Sequence, residues 1–276
     1  MSLDDNGPKD QMGRAAVTIT LWNLASRLLG FVRVIATATA LGIGVLGDTY
    51  GRTNQISNLL FELLAGGLLY SILIPTFVDI FRVDSRHGVS HLASALATRA
   101  VAALTLVVTL GLVVSDPIMT ALTAGVNDTS RVAQKDLGIF LMWFILPQLL
   151  FYALGAVASA LLQADRRFVA TSLAPTLNSI VVTITMVVFA VSHDAARGLA
   201  LTTGEKVLLG GGTLAGTIVM TAVPVIALRR AGLPMRPRWT LPAIDLSPLI
   251  RRGLWSAGVV GLNEVLVITT VILSGR

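Results

Sequence analysis

The stretch LGIFLMWFILPQLLFYALGAVASALLQA, residues 137–164, carries no charge over 28 consecutive positions. A helix needs about 20 mostly apolar residues to cross the hydrocarbon of a bilayer, whereas 10–14 are enough for a buried helix of a soluble core. Working outward, Phe168–Ser192 and Val207–Leu228 are equally free of charge. Upstream, Leu92–Ser115 holds only Arg99, Thr53–Val78 only Glu62, and Ala15–Gly47 only Arg27 and Arg33. Downstream, Ser256–Gly275 holds only Glu264. These runs predict an all-α polytopic membrane protein with about seven transmembrane helices. Period-two alternation is weak throughout, which argues against a β-barrel.

Composition points the same way. The chain is 54% hydrophobic and 13% charged, with a mean hydropathy of +0.78. A soluble domain carries about 25% charged residues, so soluble and disordered classes are excluded. Cysteine is absent, which removes disulfides, zinc thiolates and iron–sulfur centres. The net charge of +6 is distributed like a membrane bias and not like a nucleic-acid surface. With the N-terminus inside, the inner segments hold twelve Lys and Arg, among them Arg82, Arg86, Arg166, Arg167, Arg229 and Arg230. The outer segments hold five: Arg52, Arg131, Lys135, Arg197 and Lys206. Positive residues favour the cytoplasmic side, so the N-terminus is expected in the cytoplasm.

The polar head, residues 1–14, reads as a disordered cytoplasmic tail. Asp116–Asp136 reads as an outer loop with a small helix. Residues 15–230 make a six-helix lobe, and the Pro- and Arg-rich stretch 231–252 reads as an inter-lobe linker. The last span resembles the first: Leu21–Gly42 and Leu254–Gly275 share eight of 22 positions, including a Leu-Trp pair. Both run inside to outside, the pattern of a parallel transporter repeat. Residues 253–276 are therefore expected to be the first helix of a second, truncated lobe.

Polar residues inside spans are costly and mark function or pairing. In span one, Thr20, Asn23, Ser26/Arg27, Gly30, Arg33 and Thr37 recur at three- and four-residue steps, one helix face. A polar stripe with two arginines calls for water or an anion against it. In span two, Asn54, Asn58, Glu62, Gly66 and Tyr70 recur every four residues, and Glu62 is a candidate partner for Arg27 or Arg33. Gln148, Tyr152, Gly155, Ser159 and Gln163 line one face of span four, and Thr171, Pro175 and Asn178 mark span five. Arg99, near the inner end of span three, could snorkel. His87, His91 and His193 lie in loops or at edges without metal-ligand spacing, and read as surface residues. Gly210-Gly211-Gly212 lies within a span, where close helix packing is a better use than cradling phosphate. No Walker A, HExxH or nucleophile elbow is present.

Several motifs carry a family resemblance. Ser26-Arg27-Leu28-Leu29-Gly30-Phe31-Val32-Arg33 with Gly47-Asp48 resembles the first-helix signature of the MurJ (MviN) family. Asn58-Leu59-Leu60 followed by Ala65-Gly66-Gly67 and Ile74-Pro75 resembles its second helix. Leu161-Leu162-Gln163-Ala164, Arg167-Phe168 and Ala174-Pro175-Thr176-Leu177-Asn178 are similar to its fourth-to-fifth junction. The Glu-Leu-Leu-Ala-Gly-Gly form resembles an actinobacterial branch. Ser57, Phe61, Glu62 and Gly66 depart from the family's usual Pro, two Arg and Glu.

The resemblance implies the N-terminal lobe of a two-lobe transporter of the MOP superfamily. It implies a lipid II flippase of the bacterial inner membrane, serving cell-wall biogenesis by alternating access and making no bond. The partners implied are the undecaprenyl-diphosphate-linked precursor, the bilayer and cell-wall synthesis proteins, with no nucleic acid. Arg27 and Arg33 match the family's cavity arginines and Asp48 its acidic residue. With Asn58, Glu62 and Asn178 they form the expected substrate-binding set. No cofactor or metal is expected, and a coupling ion has no site that the sequence locates. Two alternatives stay open: another MOP exporter, of lipid-linked oligosaccharide or a cation, and a non-transporting scaffold for cell-wall machinery. Three span arginines against two glutamates favour an anionic cargo.

Overall fold

A computed structural model describes residues 8–42, 44–64, 70–83, 86–123, 128–193 and 198–240. Among the described residues there is no strand, and nine helices follow in order. They are α1 Pro8–Leu41, α2 Val45–Leu64, α3 Tyr70–Val83, α4 Arg86–Val113, α5 Ser115–Leu122, α6 Asp128–Ile145, α7 Gln148–Ala164, α8 Val169–Ser192 and α9 Thr203–Arg230. Five segments are long and apolar enough to cross a membrane: Leu24–Leu41, Arg86–Val113, Ser130–Ala164, Val169–Ser192 and Thr203–Arg230. The expected second span falls on α2 and α3, with residues 65–69 between them outside the description. The expected seventh span, with Glu264, also lies outside the described residues.

Hydropathy located the apolar runs but not the helix ends. Residues 8–14, expected as a disordered tail, form the first two turns of α1, which opens on Pro8. Proline suits the first helical position, where no N–H partner is needed. The expected loop Asp116–Asp136 contains the short α5 and also the polar first turns of α6. Lys135 bonds Asp116 at 2.7 Å and ties those turns to α5. Backbone hydrogen bonding continues past the point where side chains turn polar, so spans read from hydropathy stop short.

Much of the surface that the described helices expose is apolar. Leu106, Leu110, Val113, Trp143, Ile184, Val187, Val188 and Val191 are all exposed. Soluble proteins hide such a surface, whereas a bilayer solvates it. Inside, helices close on small residues, as expected where lipid supplies no hydrophobic drive between them. Gly210 meets the Phe144 ring, where an added Cβ would stand 2.6 Å from Cδ2. Gly212 meets the side chain of Thr185, and Gly216 that of Asn178. The glycine triplet is thus a packing surface for α6 and α8.

Three apolar clusters hold the bundle. One joins α3, α4, α7 and the end of α9 through Phe77, Leu92, Leu161 and Leu228. A second joins the end of α1 to α2, α6, α8 and the start of α9 through Leu41, Leu141, Phe189 and Leu209. A third packs Met119 of α5 against Val108, Met142 and Leu149. Along α9, Leu209 belongs to the second cluster and Leu228 to the first, leaving Thr213 and Thr217 between them. The polar centre of the lobe lies there.

At the α4 end of the bundle, α7 stops on Arg166, whose φ of 59° is the left-handed conformation of a helix C-terminus. Arg167 N–H donates to the Leu162 carbonyl at 2.8 Å and Arg166 N–H to that of Gln163 at 3.0 Å. Asp165 beside them accepts two bonds from Arg86, at 3.0 and 3.1 Å, and one from Arg167 at 2.9 Å. Arg86 also donates to the Ala231 carbonyl at 3.1 Å, joining the starts and ends of α4, α7 and α9. Beyond Ala231 the chain leaves α9 through Gly232, φ 73°, and runs beside α4 to Thr240. The first part of the expected linker is therefore docked on the lobe.

Candidate functional site: a cationic polar cavity

The threonines of α9 recur at four-residue steps, Thr213, Thr217 and Thr221, and all three are buried. Thr217 Oγ1 donates to Gln148 Oε1 at 3.1 Å, and Tyr152 OH to the same oxygen at 3.4 Å. Thr221 Oγ1 donates to the Phe151 carbonyl at 2.8 Å. These bonds draw the polar face of α7 onto α9. From α8, Asn178 Nδ2 reaches Met220 Sδ at 3.8 Å. A cavity of about 210 Å³ opens among these groups. Arg33 of α1 and Asn54 of α2 complete its wall, so five helices meet there.

The cavity has one formal charge, the Arg33 guanidinium, and no carboxylate among the described residues lining it. Two buried polar atoms on its wall, Gln148 Nε2 and Asn178 Oδ1, have no hydrogen-bond partner among the described residues. Buried polar groups are normally paired, and leaving one unmade costs about 1–3 kcal/mol. A guanidinium and an amide N–H are donors suited to oxyanions. The amide oxygen suits a hydroxyl or water. The donors of this arrangement suit a small, negatively charged group, and no nucleophile–base pair occurs among the described residues lining it. No cluster of three His, Asp or Glu residues able to hold a metal occurs among the described residues.

The structure brings some of the expected residues together and separates others. Arg33 and Asn178 share the cavity with Asn54, Gln148 and Tyr152. Arg27 does not join them. It is exposed, on the side of α1 that also exposes Leu24, Leu28 and Phe31. Six residues at 3.6 per turn place it about 120° from Arg33. Asp48 is exposed in the first turn of α2, away from the cavity. Asn58 and Glu62 lie on α2, but their side chains are outside the described residues. Arg99 is exposed and donates to the Trp239 carbonyl at 2.9 Å. The α9 threonines were not singled out in the sequence. Their four-residue spacing was the available signal.

The histidines need a correction. His193 is not a surface residue: its side chain is 3% exposed, 3.1 Å from Glu205 Oε1 and stacked on Phe189. Glu205 in turn closes a capping box with Thr202 at the start of α9. A carboxyl partner brought by the fold makes this end of the helix pair a buried polar site, which local sequence does not show. His87 and His91 sit in the opening turns of α4, which begins before the apolar run.

A family model described as lipid II flippase MurJ matches residues 37–275, well over half the chain. Among curated relatives, the probable lipid II flippase MurJ of Rhizobium tropici is 26% identical over 261 residues, 94% of this chain and 48% of its own. That of Rhizobium meliloti is 25% identical over 257 residues, 92% of this chain and 46% of its own. The lipid II flippase MurJ of Burkholderia cenocepacia is 24% identical over 246 residues, 89% and 44% of the two chains. The chain thus spans somewhat under half the length of the curated relatives it matches.

Proposed function

The chain belongs to the lipid II flippase MurJ family of multi-pass membrane proteins, and from that premise we propose that it serves the translocation of lipid II across the bacterial inner membrane. The N-terminus lies in the cytoplasm, with the Arg86–Asp165 cluster on the same side. The headgroup enters from that side while the undecaprenyl chain stays in lipid, and alternating access of two lobes turns the site outward. No bond is made or broken, so this is transport and not catalysis. The reading calls for no cofactor. A coupling ion is the expected source of energy, and cell-wall synthesis proteins are the expected partners.

The observation that carries this reading is the Arg33 cavity, a permanent positive charge without a carboxylate among the described residues around it. A cation exporter would need the opposite charge. The planar fork of a guanidinium matches phosphate oxygens. Arg27, exposed about 120° around α1 from Arg33 and outside the cavity, is proposed as a second cationic contact for the diphosphate, before or after Arg33. Asp48, Asn58 and Glu62 complete the proposed substrate set along α2.

A photo-crosslinking residue at Asn54, on the cavity wall, tests the proposal in living bacteria. It should capture lipid II, and the same residue at lipid-facing Ile184 should not. Equal capture at both positions, or none at Asn54, would overturn the reading.

A further inference from the structure

The segment that leaves α9 is held by a ladder of hydroxyls. Ser90, Ser94 and Thr98 stand at four-residue steps on α4. Ser90 Oγ donates to the Pro234 carbonyl at 2.7 Å. The N–H groups of Arg236 and Arg238 donate to Ser94 Oγ at 3.1 Å and Thr98 Oγ1 at 2.9 Å. Alternate residues of an extended chain are about 6–7 Å apart, close to one helical turn, so the two repeats match. The segment therefore lies along α4 as a fixed strap.

Between the strap, α4 and α9 runs a groove of about 410 Å³. Its walls are apolar: Ala97, Val101 and Ala102 of α4, Val225 of α9 and Met235 of the strap, with Leu154 of α7 as floor. At its mouth stand Arg229, in the last turn of α9, and Arg236, both exposed. Neither has an ion-pair partner among the described residues. Trp239 is 66% exposed beside them, its backbone pinned by Arg99. Tryptophan and arginine together mark the headgroup level of a bilayer. From Ser94 to Ala102 the groove follows α4 for about 12 Å toward the hydrocarbon.

We propose that this groove is a binding site for an anionic phospholipid of the surrounding membrane, its phosphate on Arg229 and Arg236 and one acyl chain against Ala97, Val101, Ala102 and Val225. Charge complementarity selects the headgroup, and the apolar walls select a lipid over a soluble phosphate. The site is separate from the Arg33 cavity, and the leaflet it faces rests on the orientation proposed above.

The test uses the purified chain, stripped of lipid in neutral detergent and examined by native mass spectrometry. Phosphatidylglycerol and phosphatidylcholine with identical acyl chains are the probes. Phosphatidylglycerol should be retained at least tenfold better. The double variant Arg229→Gln/Arg236→Gln should lower its affinity roughly 30-fold, two cationic contacts together. Ala102→Phe fills the groove with both arginines in place and should also weaken retention, which keeps the test decisive if the double variant fails to fold. Excess glycerol phosphate should not displace the lipid. Arg33→Ala should leave retention unchanged, so the fate of this site is separable from that of the transport reading. Equal retention of the two lipids, or displacement by glycerol phosphate, would overturn the proposal. So would unchanged binding in a folded variant, or no retained lipid because another part of the chain fills the groove.

Discussion

Replacing Arg33 by alanine separates binding from stability. The guanidinium lines a cavity with amides and hydroxyls and, among the described residues, no carboxylate. Hydrogen bonds to a charged group contribute about 1.5–3 kcal/mol, so losing this donor should weaken diphosphate binding roughly 10- to 150-fold. The fold should not suffer in proportion. An uncompensated arginine at membrane depth costs about 2.5–3.5 kcal/mol at a lipid-exposed helix centre, and some of that cost persists in a polar cavity. Arg33→Ala relieves it and should leave the melting temperature unchanged or raised. Arg33→Lys keeps the charge but loses the fork, so its affinity should fall between the two. The assay is a titration of the detergent-solubilised chain with undecaprenyl diphosphate, alongside a thermal melt of each variant. Wild-type affinity in Arg33→Ala would refute the anion-binding role. A variant that neither inserts nor melts cooperatively would show the arginine to be a structural element instead.

The other expectations concern packing, capping and topology. Gly211→Ala should be neutral or stabilising, because a Cβ there meets nothing closer than 4.0 Å and alanine favours helix by up to about 1 kcal/mol. Gly212→Ala, one residue on, drives its Cβ into Thr185 and should lose about 1–3 kcal/mol, read as a lower melting temperature. Thr202→Ala removes the hydroxyl that accepts the Glu205 N–H at 3.2 Å and should cost about 0.5–2 kcal/mol in the same melt, whereas Thr202→Ser should not. The chain has no native cysteine, so single cysteines report topology directly. Arg86 reaches Ala231 just past the end of α9, and Thr203 starts that helix about 42 Å away. His87→Cys and Thr203→Cys should therefore label from opposite sides of the membrane, the first only after permeabilisation. Labelling of both in intact cells would reject the orientation.

The sequence by itself determined the class of solvent and the location of the long apolar helices, because crossing a bilayer imposes a length and a hydropathy that show in any window of the chain. It also marked the residue types of the cavity, since a polar side chain in an apolar helix stands out: Arg33, Asn54, Gln148, Tyr152 and Asn178 were all visible as steps along single helix faces. Only the tertiary structure decided which of them meet. Arg27 and Arg33 belong to one polar stripe, yet the packing of α1 on α8 turns Arg33 toward Asn178 and leaves Arg27 exposed. His193 became buried because Glu205, 12 residues on, folds back across the α8–α9 connection to meet it. Residues 8–14 and 128–136 became helical because backbone hydrogen bonds do not end where hydropathy does. Periodicity is a property of one helix and is written in its sequence. Convergence depends on the rotation and offset between helices, which contacts distant in the chain decide.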